Sequence, residues 1–340
     1  MVIRPVGQSE AFVIRQVDEA VAWLQGGAET LHLTGLFGTS KAPILCEIAR
    51  RSGRTIVALT ASAAEAESLA EDLRFFSRGA VGYLPEREEE PEVRWQRIAC
   101  LAGLAGKELP LAATSIQAAL EPLPPPSILP GASVTLCLHR LIPRDGLVRA
   151  LETGGYRRVG QVTERGEYSL RGSLLDLFPP VGDSPIRAEF FGDELLALRE
   201  FDVATQRSVS SLQEITVWPV VEVPLTAEAC EEALRALLAA AEGQGGQVPL
   251  EIIKALEDRR PFPGMEAYLP YFYRQTSDLL QYAAPDTIWV LVDPVGLEAL
   301  GRGSAEATTR LRERGVSEGS IFPPSTSSLN DRTDFEATLR

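Results

Sequence analysis

Hydrophobic and polar positions follow two rhythms along this chain, and the rhythm changes after its first third. Thr30–Thr34 (TLHLT) alternates like a strand, Gly35–Thr39 is turn-like, Ala42–Arg51 repeats apolar residues at helical spacing, and Arg54–Thr60 (RTIVALT) is a second strand, together a β-α-β unit. A helix over Ala63–Ser77, a strand over Ala80–Leu84, a helix around Val93–Leu104 and a strand near Leu109–Thr114 continue the alternation. Such an order predicts a mostly parallel sheet. Glu121–Ser127 (EPLPPPS) then breaks the pattern, because proline lacks an amide donor and fixes φ. Beyond it a helix near Arg144–Glu152 precedes short alternating strands at Arg158–Val162, Tyr168–Arg171, Leu174–Phe178, Ile186–Phe191, Leu195–Phe201 and Glu214–Trp218, an α+β pattern. The α/β style returns with a helical Ala227–Glu242 and the apolar strand Thr287–Asp293 (TIWVLVD). The predicted architecture is therefore an α/β domain with a smaller α+β domain inserted into it.

Composition narrows the function. The 340 residues suggest two or three domains at roughly 100–200 residues each. No apolar run reaches the roughly 18 residues that span a bilayer, and Met1–Glu10 has no apolar core with a small-residue cleavage site, so a cytoplasmic protein with no membrane partner is expected. The net charge of −14 repels nucleic-acid backbones at long range, so any basic site is local. Cys46, Cys100, Cys137 and Cys230 stand singly and are expected as free thiols, and neither His32 nor His139 has metal-ligand spacing around it.

Between the first strand and helix lies Gly35-Leu-Phe-Gly38-Thr-Ser-Lys41-Ala42, the position of a phosphate-binding loop. The working pattern needs glycine where Ser40 stands and a metal-holding hydroxyl where Ala42 stands, so a vestigial loop is expected, with Gly35, Gly38 and Lys41 as its remnants and no cofactor. Asp293 ends its strand like a metal-holding acid but is followed by Pro294. The acidic run Glu86–Glu90 reads as a solvated loop. No nucleophile constellation is present, and no catalytic or metal-ligating residue is assigned. Between Tyr156 and Arg171 four arginines stand against two glutamates, a local basic face in an acidic protein. On Ile186–Phe191 a period of two puts Ile186, Ala188 and Phe190 on one face and Arg187, Glu189 and Phe191 on the other. Two readings of the second face stay open: an arginine–aromatic docking patch, or Phe191 packed under a loop with Arg187 paired to Glu189.

The segments RGEYSLRGSLLDLFPP (165–180), PIRAEFFGDELLALREFD (185–202) and TQRS (205–208) resemble the signature of bacterial transcription-repair coupling factors (Mfd), shared in part with the excision-repair protein UvrB. Ala118–Pro126 and Pro263–Phe272 resemble that family rather than UvrB, and the likeness runs from about Leu31 to Asp293. The resemblance implies an N-terminal UvrB-like module: a helicase-like parallel-sheet domain with a degenerate phosphate loop (1–128 and 215–318), an inserted UvrB domain 2-like α+β domain (129–214), and a linker (319–340) to RNA polymerase-interacting and translocase domains that this chain lacks. It implies a non-enzymatic adaptor that recruits UvrA through Arg171, Arg187 and Phe191, with Arg158 and Glu189 at positions used on the UvrB side. RNA polymerase and DNA would be met through the absent domains. Ser169 stands where UvrB has an arginine, and Glu86–Val93 stands where UvrB has a tyrosine-rich hairpin, which disfavours lesion binding. In the full-length family the UvrA face is masked by a C-terminal domain. The alternative is a degenerate helicase-type nucleotide- or DNA-binding domain. Arg171→Ala and Arg187→Ala are each expected to weaken docking by about 2 kcal/mol with little loss of stability.

Overall fold

The computed structural model describes residues 2–5, 17–26, 31–88, 90–244 and 246–293. The expected linker at 319–340, residues 294–318, Pro294 and Glu89 lie outside them.

β1 (Val2–Pro5) and β2 (Leu31–Thr34) pair antiparallel in a sheet of their own. β3 (Ile56–Thr60), β4 (Val81–Leu84) and β5 (Leu111–Ser115) alternate with the helices Lys41–Ser52, Ala63–Phe76 and Pro91–Ala105. The inserted part follows: β6 (Val134–Cys137), the helix Arg144–Thr153, β7 (Arg157–Arg158), β8 (Glu167–Arg171), β9 (Leu174–Leu177), β10 (Ile186–Phe191), β11 (Glu194–Phe201), β12 (Ser208–Ser211) and β13 (Glu214–Val217). The helices Ala227–Gln244 and Leu250–Glu257 then lead back to β14 (Ile288–Leu291).

The parallel sheet runs β14-β3-β5-β4, and this corrects the expected first β-α-β unit. β3 is flanked on both sides, by β14 and β5, which leaves no place beside it for Leu31–Thr34. The reason is visible in the pattern: β3 and β5 are buried at every position and mostly apolar, as central parallel strands are, whereas TLHLT alternates as a half-covered antiparallel strand does. Alternate residues of β3 feed two cores: Ile56 and Ala58 join the helices Val17–Gln25, Lys41–Ser52 and Ala63–Phe76, and Val57 and Leu59 join Pro91–Ala105.

The inserted sheet runs β12-β11-β10-β9-β8-β7, antiparallel except between β7 and β8. Tyr168, Leu175, Leu177, Ile186, Ala188, Phe190 and Leu198 cover one face, packed with Leu147 and Leu151 of the helix Arg144–Thr153. Two expectations are corrected here. The strand expected at Arg158–Val162 is only Arg157–Arg158, because the chain turns at Gly160, and Ser208–Ser211 adds an edge strand whose polar sequence gave no apolar signal.

The chain leaves the insert through a tightly held segment. Val220 donates its amide to Gly154 O at 2.7 Å, and Tyr156 donates its hydroxyl to Trp218 O at 2.8 Å. Glu222, 1% exposed, accepts from Arg97 Nε at 2.5 Å and Arg87 Nη2 at 2.9 Å, and Arg97 also lies 2.8 Å from Glu121. Burial opposes ionisation of Glu222, but the two guanidinium groups outweigh it and hold the carboxyl at about 2. This corrects the reading of 86–90 as a solvated loop: Arg87 belongs to that buried cluster, and Glu86 accepts from Ser115 Oγ at 2.8 Å, while Glu88 and Glu90 are exposed. Among the described residues no helix is long and apolar enough to cross a membrane.

Candidate protein-docking face

The turn between β2 and the helix Lys41–Ser52 is closed by the Ser40 side chain. Gly35 and Gly38 hold φ at +81° and +54°, values that suit glycine. Phe37 donates its amide to Ser40 Oγ at 2.9 Å, and Ser40 Oγ donates back to Phe37 O at 2.7 Å. The hydroxyl at the position where a working loop has glycine thus occupies an amide of the turn. Ala42 is fully buried in the core, so the position that should hold a metal ion faces packing instead. Lys41 begins the helix Lys41–Ser52, and Asp293 adopts φ of 56° just beyond β14. Cys100 is buried with its thiol pushed up to about 12 by burial, and all four cysteines are free.

The outer face of the inserted sheet is different: it is polar, ordered and built around one carboxylate. Cross-strand register sets Ser169, Asp176, Arg187 and Arg199 in a row. Asp176 is 1% exposed and binds Arg187 through two bonds, from Nε at 2.7 Å and Nη2 at 2.8 Å, and accepts from Arg171 Nη2 at 2.8 Å. Arg187 also donates to Gln206 O at 3.0 Å and lies 4.6 Å over the Phe201 ring. Asp176 raises the affinity of Arg187 for its proton, first through the hydrogen bond and then through its charge, against the opposing effect of burial. Ser169, also buried, donates its hydroxyl to Gly160 O at 3.0 Å.

The structure brings Arg171, Arg187, Glu189 and Phe191 onto one face but not Arg158, which is exposed on the edge strand β7 opposite Tyr168 of β8 and so lies on the side of the core face. The packed alternative fails at both points: Phe191 is 76% exposed, Arg187 pairs with Asp176, and Glu189 faces Arg199 at 3.5 Å. The roles of the two arginines separate. Arg171 keeps half its side chain in water, whereas Arg187 keeps 17% and acts as a strut in the sheet face. In place of the little loss of stability expected for Arg187→Ala, the structure supports a marked loss, because the change strips a buried carboxylate of its main partner. Sequence reading missed Asp176, although a carboxylate between leucines in an otherwise apolar strand signals a buried partner. The loop residues Gly35, Gly38 and Lys41 belong to the α/β part rather than to this face.

Comparison with known proteins gives a consistent result. Residues 134–222 match the UvrB interaction domain family, a span that starts at β6 and ends on Glu222. The chain is similar to a transcription-repair-coupling factor of Myxococcus xanthus, 32% identical over 300 residues, covering 80% of this chain and 24% of that protein. Proteins of the same name from Bacillus subtilis and Escherichia coli are 27% and 29% identical, over 89% and 83% of this chain and 28% and 25% of theirs. The chain thus spans about a quarter of the length of the curated relatives it matches.

Proposed function

Because the chain is a UvrB-like module of the transcription-repair-coupling factor kind, with a UvrB interaction domain at 134–222, we propose that it is an adaptor that docks UvrA on the outer face of its inserted sheet. The observation that carries this is the exposed pair Arg171 and Phe191 on a face pinned from below by Asp176. Aromatic and arginine side chains dominate interface energies, and here both are presented on a rigid sheet, so little ordering is needed on binding. The α/β part serves as a scaffold rather than an enzyme. Its loop spends an amide on Ser40 and buries Ala42, which argues against the alternative of a nucleotide-binding domain. Contacts with RNA polymerase and DNA belong to the parts of the longer relatives that this chain does not match.

Calorimetric titration with UvrA tests the reading. The wild type should bind, and Arg171→Ala/Phe191→Ala should bind at least about 30-fold more weakly, as expected when two anchors are lost, with a melting temperature lowered by no more than a few degrees. Equal affinity of the double variant, or no binding by the wild type, removes the proposal.

A further inference from the structure

The sequence marks only one apolar anchor on the docking face, but the fold supplies more. The segment His139–Ile142 lies alongside the start of β11. His139 donates its amide to Leu195 O at 2.8 Å, Leu195 donates to Arg140 O at 3.1 Å, and Ile142 donates to Asp193 O at 2.7 Å. This sets Leu141 in an antiparallel bridge with Glu194, and Glu194 stands opposite Phe191 in the β10–β11 pairing. Residues directly opposite one another on neighbouring strands share a face, so Leu141, Glu194 and Phe191 form one row. A bulge in the same pairing, between the partners of Glu189 and Phe190, leaves Leu196 as the extra residue. Leu195 beside it is fully buried, and Leu196 turns outward, 44% exposed.

We infer that Leu141 and Leu196 are further UvrA-contacting residues, forming with Phe191 the apolar half of a docking face whose charged half is built on Arg171. The inference rests on the UvrA-docking reading. Leu141 is 78% and Phe191 76% exposed, yet their backbones are fixed by sheet hydrogen bonds. A single exposed leucine needs no explanation, but three large apolar side chains around one hairpin, continuous with an arginine rim, describe an anchor cluster. The fitting surface of UvrA is an apolar socket bordered by carboxylates.

The test compares Leu141→Ala, Leu196→Ala and Arg171→Ala with Leu250→Ala, an exposed leucine on the helix Leu250–Glu257, in titrations of UvrA at about 0.1 M and about 0.5 M salt. Leu141→Ala and Leu196→Ala should each weaken binding by about tenfold at both salt concentrations, while Leu250→Ala stays within roughly twofold of wild type. The loss in Arg171→Ala should shrink at high salt, because screening acts on charge and not on apolar contact. Full affinity in both leucine variants alongside a loss in Arg171→Ala overturns the apolar half and leaves the docking reading intact. Full affinity in all three, or no binding by the wild type, overturns both.

Discussion

Arg187 shows how a residue with an interface composition becomes a structural one. Its three donating nitrogens go to Asp176 and Gln206, and its guanidinium plane covers Phe201. Removing it leaves Asp176, 1% exposed, with Arg171 alone. Arg187→Ala is expected to cost about 2–3 kcal/mol in urea unfolding, somewhat below the figure for stripping a buried pair entirely, whereas Arg171→Ala costs about 1 kcal/mol or less. Equal stability of the two variants would show that Asp176 does not depend on Arg187. Weakened docking in Arg187→Ala alone therefore mixes two effects, and Arg171 and Phe191 are the cleaner probes. Period-two reasoning found the face of Arg187 correctly, but the partner that decides its role lies on another strand, which no local pattern reports.

At the scale of elements, the phosphate-loop region is the instructive case. Its strand-loop-helix order was legible, and so was the loss of the glycine and hydroxyl positions. The structure adds that Ser40 actively closes the turn and that β2 stands outside the parallel sheet. Millimolar ATP is accordingly expected to leave the melting temperature unchanged. A site filled at 100 times its dissociation constant would add about 2.7 kcal/mol, which a thermal shift readily detects. The five longest helices and most strands were legible because long, periodic segments bury continuous stripes, whereas shorter helices such as Val17–Gln25 and Leu250–Glu257 were not. β12 and the bulge at Leu196 were not, since a polar edge strand and one inserted residue leave the hydrophobic count nearly unchanged.

The whole molecule depends on how the insert is fastened to its host. Glu222, Arg97 and Arg87 join the end of the inserted segment to the helix Pro91–Ala105 and the loop before it. The folded carboxyl sits at about 2 against an ordinary 4.5, so its contribution is complete above about pH 4.5 and is lost as pH falls toward 2. The stability difference between wild type and Glu222→Gln should be large near neutral pH and shrink through that window. A difference that is constant from pH 6 to about 2.5 would show that the charge does not hold the junction. By itself the sequence determined the α/β-with-insert plan, the missing glycine and hydroxyl positions of the loop and the face on which Arg187 and Phe191 lie. All three follow from local periodicity and from residue types at fixed spacing. Only the tertiary structure decided which arginine is exposed, that Asp176 holds both, and that Leu141 joins Phe191. Those outcomes rest on register between separate strands, and register is set by packing of the whole sheet.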